Sequence, residues 1–450
     1  MKRLLKNGRV VDPAGGHEGL FDVLIDGDRI VRVGRDIPAA EAGEAQVIDV
    51  PPGCIVCPGF IDMHVHLREP GQEHKETVAT GVAAAVAGGF TAVASMPNTV
   101  PVNDNAGITE YILRKAAQAG LARVHPVGAV SRGSNGEQLA DIAELRAAGC
   151  VAVSDDGKPV KTALLMRRAL EYAGMFGMTV IDHCEDPSLK GEGVAHEGFH
   201  ASLLGLRGIP ASAECIMVQR DITLAELAGA AVHIAHLSTR RSLRAVRAGK
   251  DVGTKVTCEV TPHHFSLTDE WLGSPKMYDT STKMNPPLRE AADRDEMLKG
   301  LADGSVDAIA TDHAPHQADE KNVEFDVAPF GIVGLETCVS IALDRLVHRG
   351  LIGLGRLVEL LAVNPARILG VAGGSLAAGA PADLTILAPD LHVTVSAARF
   401  RSKARNTPFE GWELRGGVAA TIVGGRAVYV NADVAGTERL RNMSDVQEPV

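Results

Sequence analysis

The feature that most constrains this chain is a repeated alternation of short apolar segments with Ala- and Leu-rich helical segments, which begins near residue 58. Such alternation is typical of βα units, whose strands lie parallel in one sheet. The strand candidates are 60–66, 91–96, 123–130, 150–154, 178–182, 232–236, 255–260 and 306–311. Helical patterns at 106–119, 138–148, 162–176, 213–228, 239–248 and 291–302 separate most of them. The sequence therefore predicts an α/β fold, a (β/α)8 TIM-like barrel.

Both ends of the chain show a different pattern. Residues 1–55 and 371–433 alternate like short antiparallel strands joined by glycine turns. Neither piece is large enough to bury a core alone, so we expect the two to form one small β-sandwich beside a barrel at 56–370. Residues 434–450 are polar and without period, which predicts a flexible tail.

Composition excludes several classes of partner. A formal charge of −11 argues against nucleic acid or an anionic membrane, and 4% aromatic residues argue against stacking platforms for bases. No apolar run approaches the length of a membrane span. Seven cysteines scattered through apolar segments fit reduced, buried thiols, including the pair Cys54-x-x-Cys57. We therefore expect a cytoplasmic protein.

The predicted strands end in polar residues. These ends are His64 and His66, Asp155-Asp156, Asp182-His183, His236, and Asp312-His313. Because side chains alternate along a strand, His64 and His66 point the same way. Any one of these residues has an ordinary structural explanation as a helix cap or a hydrogen-bonded core group. Five polar strand ends at the mouth of one barrel favour a functional site instead.

Four histidines and two carboxylates suit two adjacent divalent ions, provided that one carboxylate bridges them. Two metals, two aspartates and a bridging hydroxide leave a positive site, which suits a small anionic substrate. Water on such ions becomes a nucleophile near neutral pH, and a further aspartate can move its proton. Hydrolysis of an amide or ester is the predicted reaction class. Spacing alone does not choose between Asp155 and Asp156 as the bridge.

Several motifs carry a resemblance. Gly59 to His66 and the run Asp312-His313-Ala314-Pro315-His316 resemble the amidohydrolase superfamily, and Leu67-Arg68-Glu69-Pro70-Gly71 resembles the large bacterial type of the dihydroorotase family. Further matches keep the family's order over about residues 2 to 431: Met96-Pro97-Asn98-Thr99, Ser154-Asp155-Asp156-Gly157, Asp182-His183-Cys184-Glu185, Asn285-Pro286-Pro287-Leu288-Arg289, Asn364-Pro365-Ala366-Arg367 and Asn406-Thr407-Pro408-Phe409. Agreement over this length makes the resemblance specific.

The resemblance implies a metal-dependent hydrolase that interconverts (S)-dihydroorotate and N-carbamoyl-L-aspartate in pyrimidine (UMP) biosynthesis. It implies two Zn2+ per chain, bridged by Asp156 and a hydroxide, with Asp312 as the general base. The metal ligands carried over are His64, His66 and Asp312 on one ion, and His183 and His236 on the other, with Asp156 on both. The substrate-binding residues carried over are His66, Arg68, Asn98, Asn285, His316, Phe330 and Gly331. The Arg68 guanidinium matches a substrate carboxylate.

Two other functions remain open at this point. A related cyclic amidase such as dihydropyrimidinase or allantoinase usually bridges its metals with a carbamylated lysine, whereas this chain has Asp155-Asp156 at that strand end. An inactive homologue that serves as a structural partner of aspartate carbamoyltransferase would be expected to lose ligands, and here all six are present. The resemblance also raises a homodimer and a complex with aspartate carbamoyltransferase as expectations, although neither follows from the residues.

Overall fold

The computed structural model describes residues 2–443 of the chain. Its centre is a ring of parallel strands, named here barrel strands 1 to 8 in chain order: Phe60–Val65, Phe90–Ser95, Arg123–Gly128, Ala152–Val153, Thr179–Asp182, Val232–Ile234, Val256–Val260 and Ala308–Ile309. Each strand pairs with the next. A parallel bridge between Val65 and His313 closes the ring, and His66 N donates to His313 O at 2.9 Å. The predicted (β/α)8 barrel is confirmed.

Helices cover the outside of the ring. The longer ones are Val78–Ala87, Ala106–Ala119, Ile142–Ala148, Ala163–Met175, Ala211–Ala228, Arg240–Asp251 and Ala291–Asp303. Their ends carry local signals: Asn105 accepts from Ile108 N at the start of Ala106–Ala119, and Gly120, at φ +62°, ends it. After barrel strand 8 come Cys338–Ala342, Leu354–Val358 and Asn364–Leu369, the first two continuing as the π-helical turns Leu343–Val347 and Glu359–Val363.

Short helical turns lie in the loops. The α-helical ones are Ala39–Ala42, Pro187–Lys190, Phe199–Leu203, Pro262–Ser266 and Ala318–Lys321. The 3-10 turns are Arg132–Ser134, Asp269–Leu272, Thr280–Thr282, Ala397–Arg399 and Thr437–Met443. A two-stranded pair, Ala195–His196 with Gly208–Ile209, follows barrel strand 5. Within residues 2–443, no helix is long and apolar enough to cross a membrane.

The barrel interior is filled by a mixture of alanines and larger apolar side chains. Ala92, Ala94, Ala152, Ala308 and Ala310 contribute to this cluster, together with larger residues from strands 1 and 5. Ala366 and Leu369 of the helix Asn364–Leu369 join the same cluster. A second, larger core lies between the strands and the surrounding helices. The ring is therefore a packed core and not a pore.

The two ends of the chain form one mixed sheet. Its strands, in spatial order, are Arg426–Val430, Glu413–Val423, Leu384–Thr394, Ile55–Pro58, Lys2–Asp12, His17–Asp26 and Arg29–Gly34, with Gln46–Asp49 also paired to Lys2–Asp12. Both halves contribute to one apolar core. The predicted boundary at residue 56 falls inside the strand Ile55–Pro58, which belongs whole to this sheet. Gly59 N donates to Asp383 O, so the sheet leads straight into barrel strand 1.

The cysteines are reduced, buried thiols, as their distribution through apolar segments predicted. All seven are buried and none is in a disulfide. Burial alone raises the pKa of Cys54 to about 11, so this thiol stays protonated at neutral pH. Cys54 and Cys57 lie in the cores on either side of the strand Ile55–Pro58, which supports a packing role for the pair.

The expected flexible tail from residue 434 is wrong for its first part. Thr437–Met443 form a 3-10 helix, and Leu440 and Met443 are fully buried in the core of the terminal sheet. Two apolar side chains three residues apart lie on one face of a 3-10 helix, and this short signal is lost in a polar segment. Residues 444–450 lie outside the described part of the chain.

We therefore expect Leu440→Ala to destabilise the terminal sheet. Deleting a fully buried leucine side chain costs about 2–4 kcal/mol through lost burial and the cavity left behind. The midpoint of urea unfolding measures this loss. Leu20→Ala is the matched control, because Leu20 is 68% exposed on the same sheet and its loss should change stability by less than about 0.5 kcal/mol. An unchanged midpoint for Leu440→Ala would contradict the packing described here.

Candidate active site

Five of the six predicted metal ligands surround one point at the mouth of the barrel, with the carboxylate of Asp156 in the middle. Its oxygens lie 3.3 Å from His64 Nε2, 3.4 Å from His66 Nε2, 3.5 Å from His236 Nε2 and 3.8 Å from His183 Nδ1. None of the five residues is more than 5% exposed. Residues that are distant in sequence thus present four imidazole nitrogens to one buried carboxylate.

Asp312 completes the group from the end of barrel strand 8. Its Oδ1 lies 3.0 Å from His66 Nε2 and 3.6 Å from His64 Nε2. Burial raises the pKa of Asp312, but the charges and hydrogen bonds of His64 and His66 outweigh burial and lower it. Burial likewise raises the pKa of Asp156, and the neighbouring histidines, His64 first, hold it well below its usual range. Both carboxylates are therefore ionised, which metal ligands need to be.

Asp155 and Asp156 point to different surroundings. Asp155 accepts hydrogen bonds from Ser131 N, at 2.9 Å, and from the Ser131 hydroxyl. Asp156 alone of the two faces the histidines. Asp155 therefore orders the neighbouring loop, and Asp156 is the one of the two that contacts the predicted ligands.

Irregular backbone brings the ligands to the mouth. Ile61 and Met63 face the barrel interior, yet His64, which directly follows Met63, also points inward because the pairing register of barrel strand 1 shifts between Asp62 and Val65. His236 and Asp312 have φ values of +31° and +47°. Such left-handed conformations are unfavourable for non-glycine residues and concentrate at functional sites.

Two hydrogen-bond acceptors orient the histidines of barrel strand 1. Glu259 Oε1 accepts from His64 Nδ1 at 2.9 Å, and Asn98 Oδ1 accepts from His66 Nδ1 at 2.8 Å. In each ring the Nδ1 proton is committed to its partner, so Nε2, on the side of Asp156, is the nitrogen that a metal ion could bind. Sequence reasoning did not single out Glu259. The signal was a glutamate inside the apolar strand Val256–Val260, because a buried carboxylate requires partners.

His183 and His236 form the other side of the site. His183 Nδ1 and His236 Nε2 are 3.0 Å apart, and both face Asp156. On its outer side, His183 Nε2 lies 3.2 Å from Asn285 Nδ2 and 3.5 Å from Glu185 Oε2. Asn285 Nδ2 also donates to Glu185 Oε2 at 3.1 Å. Glu185, which the motif contained without an assigned role, therefore contacts both a predicted ligand and a predicted substrate-binding residue.

A cavity of about 360 Å³ opens next to this cluster. Its walls include all seven predicted substrate-binding residues: His66, Arg68, Asn98, Asn285, His316, Phe330 and Gly331. Lys75 and Lys190, which sequence reasoning did not single out, also line it. Burial lowers the pKa of Arg68 to about 10, so its guanidinium stays charged at neutral pH. The cavity thus has a cationic edge beside the buried carboxylates.

The loop that carries Phe330 and Gly331 is held by its own hydrogen bonds. His316 Nε2 donates to Phe330 O at 2.9 Å, while Gly331 N donates to Lys283 O at 2.9 Å. Asn406 Nδ2 donates to Gly331 O at 3.0 Å. Burial first, then Arg68, lower the pKa of His316 to about 3, so this ring is neutral. The loop backbone is therefore fixed against the cavity.

The site residues fit divalent metal ions. Two overlapping groups of side chains, which share His64, have ligand atoms within 4.8 Å of one another and could hold an ion: His64-Asp156-His236 and His64-His66-Asp312. His64 Nε2 and Asp156 Oδ1 are buried and have no hydrogen-bond partner among the described residues. Buried polar atoms are rarely left without a partner, so these two atoms indicate a ligand. Nitrogen and oxygen donors without thiolate suit zinc and similar ions.

Other histidines near the mouth do not join the cluster. His313 Nδ1 accepts from Gly334 N, and its Nε2 lies 3.4 Å from Glu76. His264 bridges Thr261 Oγ1 and Pro286 O. Both rings therefore hold loops in place, away from Asp156.

The comparisons with known proteins agree with this geometry. Residues 53–242 match a family model described as Dihydro-orotase-like. The chain is 56% identical over 425 residues to the dihydroorotase of Anaeromyxobacter sp. (strain K), covering 94% of this chain and 97% of that protein. It is 54% identical over 428 residues to the dihydroorotase of Pelotomaculum thermopropionicum, covering 95% and 98%.

Solved structures with the same fold include a dihydropyrimidinase from Brevibacillus agri NCHU1002, with TM-score 0.82, 24% identity and coverage of 97% of this chain and 96% of that one. The L-hydantoinase of Arthrobacter aurescens aligns with TM-score 0.85 and 24% identity over 96% and 97% of the two chains. At this identity the likeness supports the fold alone. Sequence identity above 50% over nearly the whole chain is decisive for the family: this chain belongs to the dihydroorotases.

Proposed function

We propose that this chain is a dihydroorotase, which interconverts (S)-dihydroorotate and N-carbamoyl-L-aspartate in pyrimidine biosynthesis. The observation that carries the proposal is the juxtaposition of the histidine–aspartate cluster with the cationic edge of one cavity. Hydrolysis of a cyclic amide needs an activated water and a polarised carbonyl, and recognition of dihydroorotate also needs a partner for its carboxylate. The histidine–aspartate cluster on one side of the cavity could supply the activated water and the polarised carbonyl. Arg68 could pair with the carboxylate of dihydroorotate.

Two zinc ions per chain are the proposed cofactor. His64, His66 and Asp312 would hold one ion, His183 and His236 the other, and Asp156 would bridge them. When bound there, such ions lower the pKa of water towards neutrality and polarise a substrate carbonyl. The protein keeps the histidine rings in the required tautomers through Glu259 and Asn98.

Arg68 and Asn98 are the proposed partners of the substrate carboxylate. Arg68 Nε donates to Pro315 O at 3.2 Å, which holds the guanidinium beside the cavity. Since Asn98 Oδ1 accepts from His66, its amide NH2 remains available as a donor. A guanidinium and an amide NH2 together match the two oxygens of one carboxylate. Asn285, His316 and the Phe330-Gly331 loop would enclose the rest of the ring.

Asp312 is the proposed general base. It lines the cavity, it is ionised, and its Oδ1 lies 3.0 Å from His66 Nε2. A carboxylate in this position can take up the proton that the attacking water loses and return it to the ring nitrogen as the amide bond breaks. In the direction of ring closure the same carboxylate would move the proton in the opposite sense.

The position of the lysines disfavours the related cyclic amidases that use a carbamylated lysine. Lys158 Nζ donates to Ser134 O at 3.3 Å, and Lys161 Nζ donates to Asn135 O at 2.7 Å. Both ammonium groups therefore bond to loop carbonyls, while Asp156, the proposed bridge, lies beside His64 and His236. The homodimer, the association with aspartate carbamoyltransferase and the cytoplasmic location stay predictions from the sequence.

The bridge is tested by exchanging one carboxylate at a time. We expect Asp156→Asn to lose at least one equivalent of bound zinc, because the amide cannot bridge two cations. Asp155→Asn is the matched control: it should keep about two equivalents while losing stability, since Asp155 bonds only to the Ser131 loop in this region. Elemental analysis measures the metal. Zinc lost from Asp155→Asn and kept in Asp156→Asn would reverse the assignment.

The base is tested with Asp312→Asn. A neutral amide cannot accept the proton, so we expect turnover of dihydroorotate to fall by roughly 10²–10⁴-fold in a protein whose barrel remains folded. Steady-state kinetics measure the loss, and circular dichroism checks the fold. Turnover close to that of the parent protein would assign the base elsewhere.

Substrate choice is tested with Arg68→Met, which keeps the length of the side chain and removes the guanidinium. We expect the parent protein to prefer dihydroorotate strongly over dihydrouracil, hydantoin and allantoin, because buried donors are left unpaired by substrates without a carboxylate. The variant should lose about 2–4 kcal/mol of transition-state binding, read from kcat/KM, while still holding zinc.

Arg415→Met is the control for Arg68→Met, since Arg415 is half-exposed on the terminal sheet and pairs with Asp390. Its kinetics should match those of the parent. A parent protein that prefers dihydrouracil or allantoin would replace the dihydroorotase proposal with the broader cyclic-amidase one. Unchanged dihydroorotate turnover in Arg68→Met would remove Arg68 from the substrate site.

A further inference from the structure

Glu259 is buried in the barrel wall and contacts two of the proposed metal ligands. It is 1% exposed and lies on barrel strand 7. Its Oε1 lies 2.9 Å from His64 Nδ1 and 3.3 Å from His236 N. These two residues come from barrel strand 1 and from the end of barrel strand 6, and with Asp156 they form one of the two candidate metal groups. One carboxylate oxygen thus connects ligands from two separate strands.

The second oxygen of Glu259 has its own partner. Oε2 lies 3.2 Å from His233 Nε2, and His233 Nδ1 lies 2.8 Å from Thr257 Oγ1. His233 is fully buried and faces neither Asp156 nor the cavity. Its contact with Glu259 stabilises the glutamate, because a buried carboxylate is tolerated only when its oxygens are paired. Both oxygens of this glutamate therefore have partners, which come from barrel strands 1 and 6.

The contact with His64 determines which nitrogen can bind metal. An ionised carboxylate only accepts hydrogen bonds, so the proton on His64 Nδ1 is committed to Glu259 and Nε2 is the nitrogen left to bind a metal ion. His64 Nε2 is the atom that faces Asp156 and Asp312 and lacks a hydrogen-bond partner. A carboxylate behind a histidine ligand also makes the imidazole a stronger donor.

The contact with His236 acts through the backbone. His236 has φ +31°, a conformation that is unfavourable for a residue with a side chain and must be held by its surroundings. The hydrogen bond from His236 N to Glu259 Oε1 lies at this residue and supplies such support. Without it, the peptide would be free to relax and to carry the imidazole away from Asp156.

From these contacts we propose that Glu259 is a positioning residue that couples the two halves of the metal centre, by setting the tautomer of His64 and the backbone of His236 together. The inference rests on the proposed metal-dependent function. Its consequence is specific: loss of Glu259 weakens the binding of both metal ions, although Glu259 contacts neither the substrate cavity nor Asp156.

The test compares zinc binding in the full-length parent, Glu259→Met and Glu259→Gln, by titration of metal-free protein against a chelator of known affinity. Methionine keeps the length of the side chain and removes both acceptors, so we expect about 10–100-fold weaker binding at both equivalents. Glutamine can still accept from His64 Nδ1 and His236 N through one oxygen, so Glu259→Gln should recover part of the lost affinity and remain more than about threefold weaker than the parent.

Asp307→Asn is the matched control. Asp307 is a buried carboxylate that accepts a hydrogen bond from the backbone N of Cys258, the residue before Glu259, and pairs with Lys250. Among the described residues, its side chain contacts none of the proposed metal ligands. We expect Asp307→Asn to lose stability and to bind zinc like the parent. An equal loss of zinc affinity in Asp307→Asn would show a general structural effect and would overturn the proposal.

The remaining outcomes are also decisive. Zinc affinity of Glu259→Met within about threefold of the parent, or a loss confined to one equivalent, would overturn the coupling. If Glu259→Met does not fold, Glu259→Gln decides by the same threshold. Because the readout is metal binding, failure here leaves turnover of dihydroorotate untouched, whereas a parent that binds two zinc ions and does not turn over dihydroorotate would overturn only the substrate assignment.

Discussion

The rest of the site depends on one constraint, the burial of the Asp156 carboxylate among four imidazoles. Each histidine nitrogen lies 3.3–3.8 Å from an oxygen of this carboxylate, and water has almost no access to it. Burying a charge is costly unless it is paired. Two divalent ions between the carboxylate and the imidazoles would satisfy every one of these groups at once, which explains why a barrel with an apolar interior keeps such a cluster at its mouth.

The constraint extends outward through the groups that hold the ligands. Glu259 and Asn98 fix the rings of His64 and His66, and Glu185 lies behind His183. Asn98 also lines the cavity, so in the proposed assignment one side chain would serve both metal positioning and substrate recognition. Side chains are positioned most precisely when they lie on strands or directly at their ends, where the backbone is rigid. The unfavourable backbone at His236 and Asp312 is held by the same surroundings.

Much of this arrangement could be predicted from the sequence, because short apolar strands alternate with helices and their polar ends must meet at one edge of a parallel sheet. The proposed ligands were predicted from that rule together with the resemblance, and the structure brings them together. The inward direction of His64 did not, since alternation from Met63 would have turned it outward and only a shift in strand register corrects this.

Contacts between distant residues were also beyond reach. Glu259 pairs with a histidine 195 positions away, and nothing near it in the sequence indicates that partner. Asp155 and Asp156 are adjacent identical residues, and the turn of the chain after barrel strand 4 decides that Asp155 faces Ser131 and Asp156 faces His64. Leu440 and Met443 were hidden because two buried side chains in a polar segment do not produce a periodic signal. In each case the deciding information lies in tertiary packing.

The most direct test of a carboxylate-bridged dihydroorotase is the turnover of L-dihydroorotate by protein that has been stripped of metal and reloaded with zinc in buffer free of bicarbonate, followed as loss of ultraviolet absorbance. A bridge made by Asp156 needs no carbon dioxide, so activity should return fully with about two zinc ions per chain and should not rise when bicarbonate is added. Fully loaded protein that leaves L-dihydroorotate unchanged, or that turns it over only after bicarbonate is supplied, would contradict this account.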